Sequence, residues 1–178
     1  MDFSISTATQ EMLARFRAFV EQELFPLEPR FLQEGFGAVL PELDACRANA
    51  RALGLSIPQI ETAHGGMGLS VLEHGLVSAE LGRSPMGHYV FNCQAPDAGN
   101  MEILIKYGTD EQKEQYLKPL LAGEIRSCYG MTEPDHPGSN PVWMGTTAVK
   151  DGGDFILNGR KWWATGADGA TFAIVMAV

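Results

Sequence analysis

Positive charge is scarce in this sequence, with 13 Lys and Arg against 22 Asp and Glu, a net charge of −9. No basic cluster is present, so binding to a nucleic-acid backbone is excluded as a main role, because phosphate contact needs grouped Lys and Arg. Cysteine is scarce too. Cys46, Cys93 and Cys128 are scattered and odd in number, which argues against a disulfide framework. There is no CxxC or HxxxH pair, and His64, His74, His88 and His136 lie far apart, so no metal site is expected. No apolar run approaches membrane-spanning length, and the N-terminus lacks a basic, apolar leader. A reducing, cytoplasmic setting is the expectation. With 178 residues, 45% hydrophobic and 20% charged, the chain can bury a real core.

The first two-thirds is patterned for helices. Thr7-x-x-Gln10 has the form of a capping box ahead of Leu13, Phe16, Phe19, Val20 and Leu24, and Pro26 and Pro29 end or bend that helix. Pro41 opens a second helix carrying Leu43, Cys46, Ala50 and Leu53, with Gly54 as its stop. Residues 56–70 read as a loop. Ser70-x-x-Glu73 is a second capping box, before Leu72, Leu76, Val77 and Leu81. A short helix is expected between Met86 and Cys93, and another from Pro96 with Met101, Leu104 and Ile105 on one face. Thr109-x-x-Gln112 is a third capping box, before Tyr116, Leu117, Leu120 and Leu121. Short connections predict an antiparallel bundle.

After Gly123 the period changes to that of strands. Strands are expected over 125–131, 143–149, 155–157, 161–164 and 171–178. Turns are expected at Asp151-Gly152-Gly153-Asp154 and Asn158-Gly159. The fold class is therefore α+β: an N-terminal antiparallel α-helical bundle over 1–122, then an incomplete antiparallel β-barrel-like domain over 123–178. The closing run Thr171–Val178 is apolar nearly throughout, and a strand of that kind is normally covered on both sides. Five strands at most make a thin sheet. The expectation is a truncated second domain, part of a longer protein or completed by another chain.

Five blocks in order then carry a resemblance. They are Gly65-Gly66-Met67-Gly68, Ala95-Pro96-Asp97-x-Gly99-Asn100, Tyr107-Gly108-Thr109-x-Glu111-Gln112, Tyr129-Gly130-Met131-Thr132-Glu133-Pro134, and Asn158-Gly159-Arg160-Lys161-Trp162-Trp163-Ala164-Thr165-Gly166. Together they resemble the acyl-CoA dehydrogenase family across essentially the whole chain. One extra residue between Pro134 and Ser139 resembles the long-chain and peroxisomal-type branch. The resemblance implies an N-terminal helical domain and the start of a middle β-domain, with the C-terminal four-helix domain absent. It implies an FAD enzyme of fatty acid β-oxidation that converts an acyl-CoA thioester to the trans-2-enoyl-CoA. Electrons would pass to an electron-transfer flavoprotein or similar acceptor, and the complete protein would be a homo-oligomer, a dimer or tetramer.

By the same resemblance, Tyr129, Met131 and Thr132 line the pyrimidine side of the flavin, and Trp163 and Thr165 stand beside the ring and N5. Ser139 approaches the CoA moiety of the substrate. From the residues themselves, Trp163 is a flat apolar wall and the two threonines are donors. As a strand, Trp162 and Trp163 would face opposite ways, one of them into the core. His136 reads as a solvated loop residue and Cys128 as core filling. Glu133, before a proline in a turn, matches no catalytic position, and no residue is assigned as the catalytic base. The alternative is a non-catalytic half-subunit that completes a flavin site with a partner chain.

Overall fold

Helix α1 (Thr7–Phe19) opens at the residue expected to cap it, and the cap falls one residue earlier, at Ser6. Ser6 accepts from the Thr9 amide at 3.2 Å, and Gln10 reaches back to the Ile5 carbonyl at 3.0 Å. Ser6 is the better placed oxygen for the free first-turn amides. The computed structural model describes residues 4–138 and 140–178. The chain divides into two compact units, Met1–Gln94 and Ala95–Val178.

In the first unit α1 runs on through a π-helical turn, Val20–Leu24, and a 3₁₀ turn, Phe25–Leu27, into α2 (Glu28–Glu34). Pro26 and Pro29 therefore do not stop the chain. Each falls in the first turn of a short helix, where its missing N–H has no partner to lose. α3 (Leu40–Ala52), α4 (Val71–Leu81) and α5 (Gly87–Val90) complete the unit. Ser70 and Glu73 form the expected capping box of α4. Phe16, Phe19, Val20, Leu24, Leu43, Ala50, Val77, Leu81 and Phe91 make one buried core. Leu72 and Leu53, expected in the apolar stripes, are exposed.

The loop before α4 contains a 3₁₀ turn, Thr62–His64, and folds back on itself. The Gly68 amide donates to the Ile60 carbonyl at 2.8 Å, and the Leu69 amide to the Pro58 carbonyl at 3.2 Å. Gly66 lies so close beneath that a Cβ there would sit 2.0 Å from the Ile60 oxygen. Gly66→Ala is expected to cost about 1–3 kcal/mol, since backbone rather than a flexible side chain must give way. Gly75→Ala, inside α4 with open space around it, should gain about 0.5–1 kcal/mol. Urea midpoints of the two variants check the contrast.

In the second unit α6 (Asp97–Tyr107) buries Met101 and Leu104, and α7 (Asp110–Gln112) starts at the expected Thr109 capping box. A π-helical turn, Lys113–Leu117, joins it to α8 (Lys118–Leu121). The strands are β1 (Ser127–Gly130), β2 (Thr147–Asp151), β3 (Asp154–Asn158) and β4 (Phe172–Val175). β2 and β3 form an antiparallel hairpin about Gly152–Gly153, as the turn residues predict.

Three sheet expectations need correction. β1 pairs with β4 in parallel, Ser127 opposite Phe172 and Gly130 opposite Val175, in a two-stranded sheet separate from the β2–β3 hairpin, so the strands are not all antiparallel. β2 begins at Thr147 rather than Trp143. Residues 161–164 form no strand and no Asn158-Gly159 hairpin exists, because the side chain of Lys161 and the backbone of Trp162 are bonded to the end of β1 instead. The order of a helical first part followed by a small incomplete sheet is as expected, and no closed barrel forms among the described residues.

Candidate flavin site

β1 is anchored at its start by α6. The buried Asp97 carboxylate accepts from the Ser127 amide at 2.8 Å and its hydroxyl at 2.6 Å. Asn100 donates to the Ser127 hydroxyl at 2.8 Å and to the Cys128 carbonyl at 3.2 Å. Asp97 and Asn100 lie three apart on one helical face, which is why both reach the same strand. Gly166 packs on this corner; its φ is +78°, and a Cβ there would lie 3.4 Å from the Ser127 carbonyl oxygen.

At the other end of β1 the chain continues through Met131, Thr132 and Glu133. Glu133 is buried, only 4% exposed. Its carboxylate accepts from the Gly145 amide at 2.6 Å, the Thr146 amide at 2.9 Å, the Thr146 hydroxyl at 2.5 Å and the Lys161 ammonium at 2.8 Å. The His136 Nδ1 lies 2.9 Å from Oε2, the oxygen that accepts from Gly145, while Thr146 and Lys161 share Oε1. The Lys161 ammonium, then the Thr146 hydroxyl and the Gly145 amide, hold this carboxyl far below the ordinary carboxylate range, against the opposing effect of burial. A carboxylate so engaged is a structural acceptor and not a proton-abstracting base.

Lys161 also donates to the Met131 carbonyl at 3.0 Å, and the Trp162 amide donates to the Thr132 carbonyl at 3.0 Å. These bonds lay 161–162 along 131–133 and deliver Trp163 beside the end of β1. Trp163 has φ of +54°, a left-handed conformation uncommon for a bulky residue, and the residue is 79% exposed. The two indoles touch, with centroids 5.5 Å apart and planes at 45°. Both are exposed, so the expected division into one core and one surface tryptophan does not hold. It presupposed a strand, and the backbone here is not one.

Tyr129, Met131 and Thr132 are each half-buried, with the buried Gly130 among them; Trp163 directly follows the Trp162 that bonds to Thr132, and Thr165 is exposed two residues on. Ser139 lies outside the described residues. Cys128 is buried as core filling. His136, expected in solvent, is half-buried against Glu133. Lys161, Thr146, Asp97 and Asn100 were given no site role by the sequence reading, and Glu133 was weighed only as a base. Their only sequence signal was an acidic residue and a lysine inside blocks otherwise read for their aromatics and hydroxyls.

Residues 6–124 match the family model of the acyl-CoA dehydrogenase N-terminal domain, and residues 128–178 that of the acyl-CoA dehydrogenase middle domain. The chain belongs to the acyl-CoA dehydrogenase family. Family member 11 from Gallus gallus is 38% identical over 176 residues, covering 93% of this chain and 22% of its own. An acyl-CoA dehydrogenase structure from Mycobacterium abscessus superposes with a TM-score of 0.88 at 41% identity, over 97% of this chain and 46% of that one. Glutaryl-CoA dehydrogenase from Mycobacterium smegmatis, solved in complex with FADH2, gives 0.75 at 28% identity, over 97% and 43%. The chain therefore spans less than half the length of these relatives. No described helix is long and apolar enough to cross a membrane.

Proposed function

We propose that this chain supplies the flavin-facing wall of an FAD-dependent acyl-CoA dehydrogenase acting on an acyl-CoA thioester. The observation that carries the reading is Trp163, an exposed indole fixed beside the end of β1 by the Trp162–Thr132 backbone bond. The donor set fits a flavin: a flat apolar face at Trp163, hydroxyls at Thr132 and Thr165, and backbone polar groups past Gly130. FAD, when bound, accepts the hydride that leaves the substrate. Tyr129, Met131 and Thr132 hold the pyrimidine side of the ring, and Thr165 donates near N5. Ser139 approaches the CoA portion. In this reading the catalytic base of the complete protein lies outside this chain, and Glu133 is engaged by its own donors.

Residues 1–122 then act as the helical domain and 123–178 as the start of the flavin-binding β-domain. The whole protein is a homo-oligomer of fatty acid β-oxidation that passes electrons to an electron-transfer flavoprotein or similar acceptor. A reducing cytoplasm suits its three free, buried cysteines.

Trp163→Ala is expected to weaken FAD binding by about tenfold, near the 1–1.5 kcal/mol of an aromatic stacking contact. Titration of FAD into wild type and variant, followed by flavin fluorescence, measures it. Equal affinities would remove Trp163 from the ring, and no binding by the wild type would remove the flavin reading altogether.

A further inference from the structure

Trp163 cannot hold its own place. The residue is mostly in solvent, and its backbone sits in a region that L residues rarely adopt. What precedes it must supply the constraint. Lys161 has a side chain only 13% exposed, and its ammonium spans two acceptors on one segment, the Met131 carbonyl at 3.0 Å and the Glu133 carboxylate at 2.8 Å. Its alkyl stem lies over Gly130, where a Cβ would stand 3.4 Å from the Lys161 Cγ. Glu133, in turn, is locked by the amides of Gly145 and Thr146 and so does not move with the lysine.

We propose that Lys161 is a positioning residue for the flavin site, clamping residues 161–163 onto the end of β1 so that Trp163 and Thr132 keep a fixed relation. Its functional consequence rests on the flavin reading above. The ammonium suits the task because it carries three donors on a long stem, can serve a carbonyl and a carboxylate together, and leaves the buried pair electrically neutral. The clamp acts through backbone: with Met131 and Glu133 both tied to Lys161, the next amide, Trp162, is presented to the Thr132 carbonyl.

The test uses the full chain with Lys161→Gln and Lys161→Arg. Glutamine keeps a donor for Glu133 but lacks the reach to Met131, while arginine keeps both charge and reach. Amide hydrogen exchange at Trp162, resolved by NMR, should quicken roughly tenfold in Lys161→Gln, with the β2–β3 ladder unchanged. FAD affinity should fall about tenfold in parallel, and Lys161→Arg should restore most of both. Unchanged exchange at Trp162 overturns the clamp whether or not flavin binds. Faster exchange or unfolding throughout 95–178 reduces Lys161 to a general stabilising residue and also overturns it. FAD binding that is equal in wild type and Lys161→Gln, with local exchange altered, overturns the functional part. If the wild type binds no FAD but Trp162 exchange responds locally and is rescued by arginine, the clamp stands and the flavin reading fails.

Discussion

Phe91→Ala is expected to destabilise the Met1–Gln94 unit by about 3–5 kcal/mol. Phe91 is fully buried, and its ring meets Phe16 at 5.1 Å and Phe19 at 5.0 Å between centroids, tilted and edge-on. The loss has two parts: the transfer of a large apolar side chain, and a cavity that its neighbours cannot close. They cannot close it because the turn that presents Phe91 is itself pinned. Its carbonyl accepts from the Ile57 amide at 2.8 Å, and the next residue, Asn92, has φ of +54°. Arg47 on α3 donates to the Tyr89 carbonyl just before it and lies 4.5 Å over the Tyr89 ring. Leu32→Ala, at an exposed position, should stay within about 0.5 kcal/mol. Urea unfolding followed by far-UV circular dichroism measures both. A loss under about 1 kcal/mol for Phe91→Ala would mean that the core repacks freely.

Glu133→Gln should disorder the candidate site while leaving the helices of the first unit intact. Four donors converge on a carboxylate that only accepts, and an amide turns two of its own hydrogens toward them. The bonds to Gly145 and Thr146 hold the approach to β2, and the bond to Lys161 holds the approach to Trp163, so both loosen together. The thermal midpoint should fall, and the Trp162 amide should lose protection from exchange.

The pH dependence has a definite sign. The donors place the folded carboxyl well below its ordinary value of 4.5, so the folded state binds this proton more weakly than the unfolded state does. The stability contributed by the ionised form is fully present above the ordinary value and is lost as the pH falls through the lower folded one. The gap in thermal midpoint between wild type and Glu133→Gln should therefore be widest near neutrality and shrink in acid. A gap that stayed constant from neutrality into acid would show that Glu133 is not held ionised by its donors.

The helical part was legible because its signals are local. Ser70 with Glu73 and Thr109 with Gln112 satisfy their own first-turn amides within three residues, and no distant partner is needed. Gly152–Gly153 specifies its hairpin in the same way. Legibility failed where a local pattern had a non-local competitor. Residues 161–164 have the composition of a strand, but Trp162 donates to Thr132, thirty residues back, and Lys161 reaches Met131 at the same separation. Leu72 has the right spacing for the stripe of α4 yet is exposed, since periodicity names a face without naming what covers it.

The candidate site divides along the same line. The sequence by itself determined which residue types stand ready: the aromatic pair, the threonines, and the glycines that allow close turns at Gly66 and Gly166. It also determined the family, through the order and spacing of its blocks. Only the tertiary structure decided that β1 and β4 run parallel, that both indoles are exposed, and that Glu133 is an acceptor at the centre of the site. The physical reason is that a carboxylate's role is set by the donors brought to it. Those donors, Gly145, Thr146 and Lys161, lie 12 to 28 residues further along the chain, beyond the reach of any local pattern.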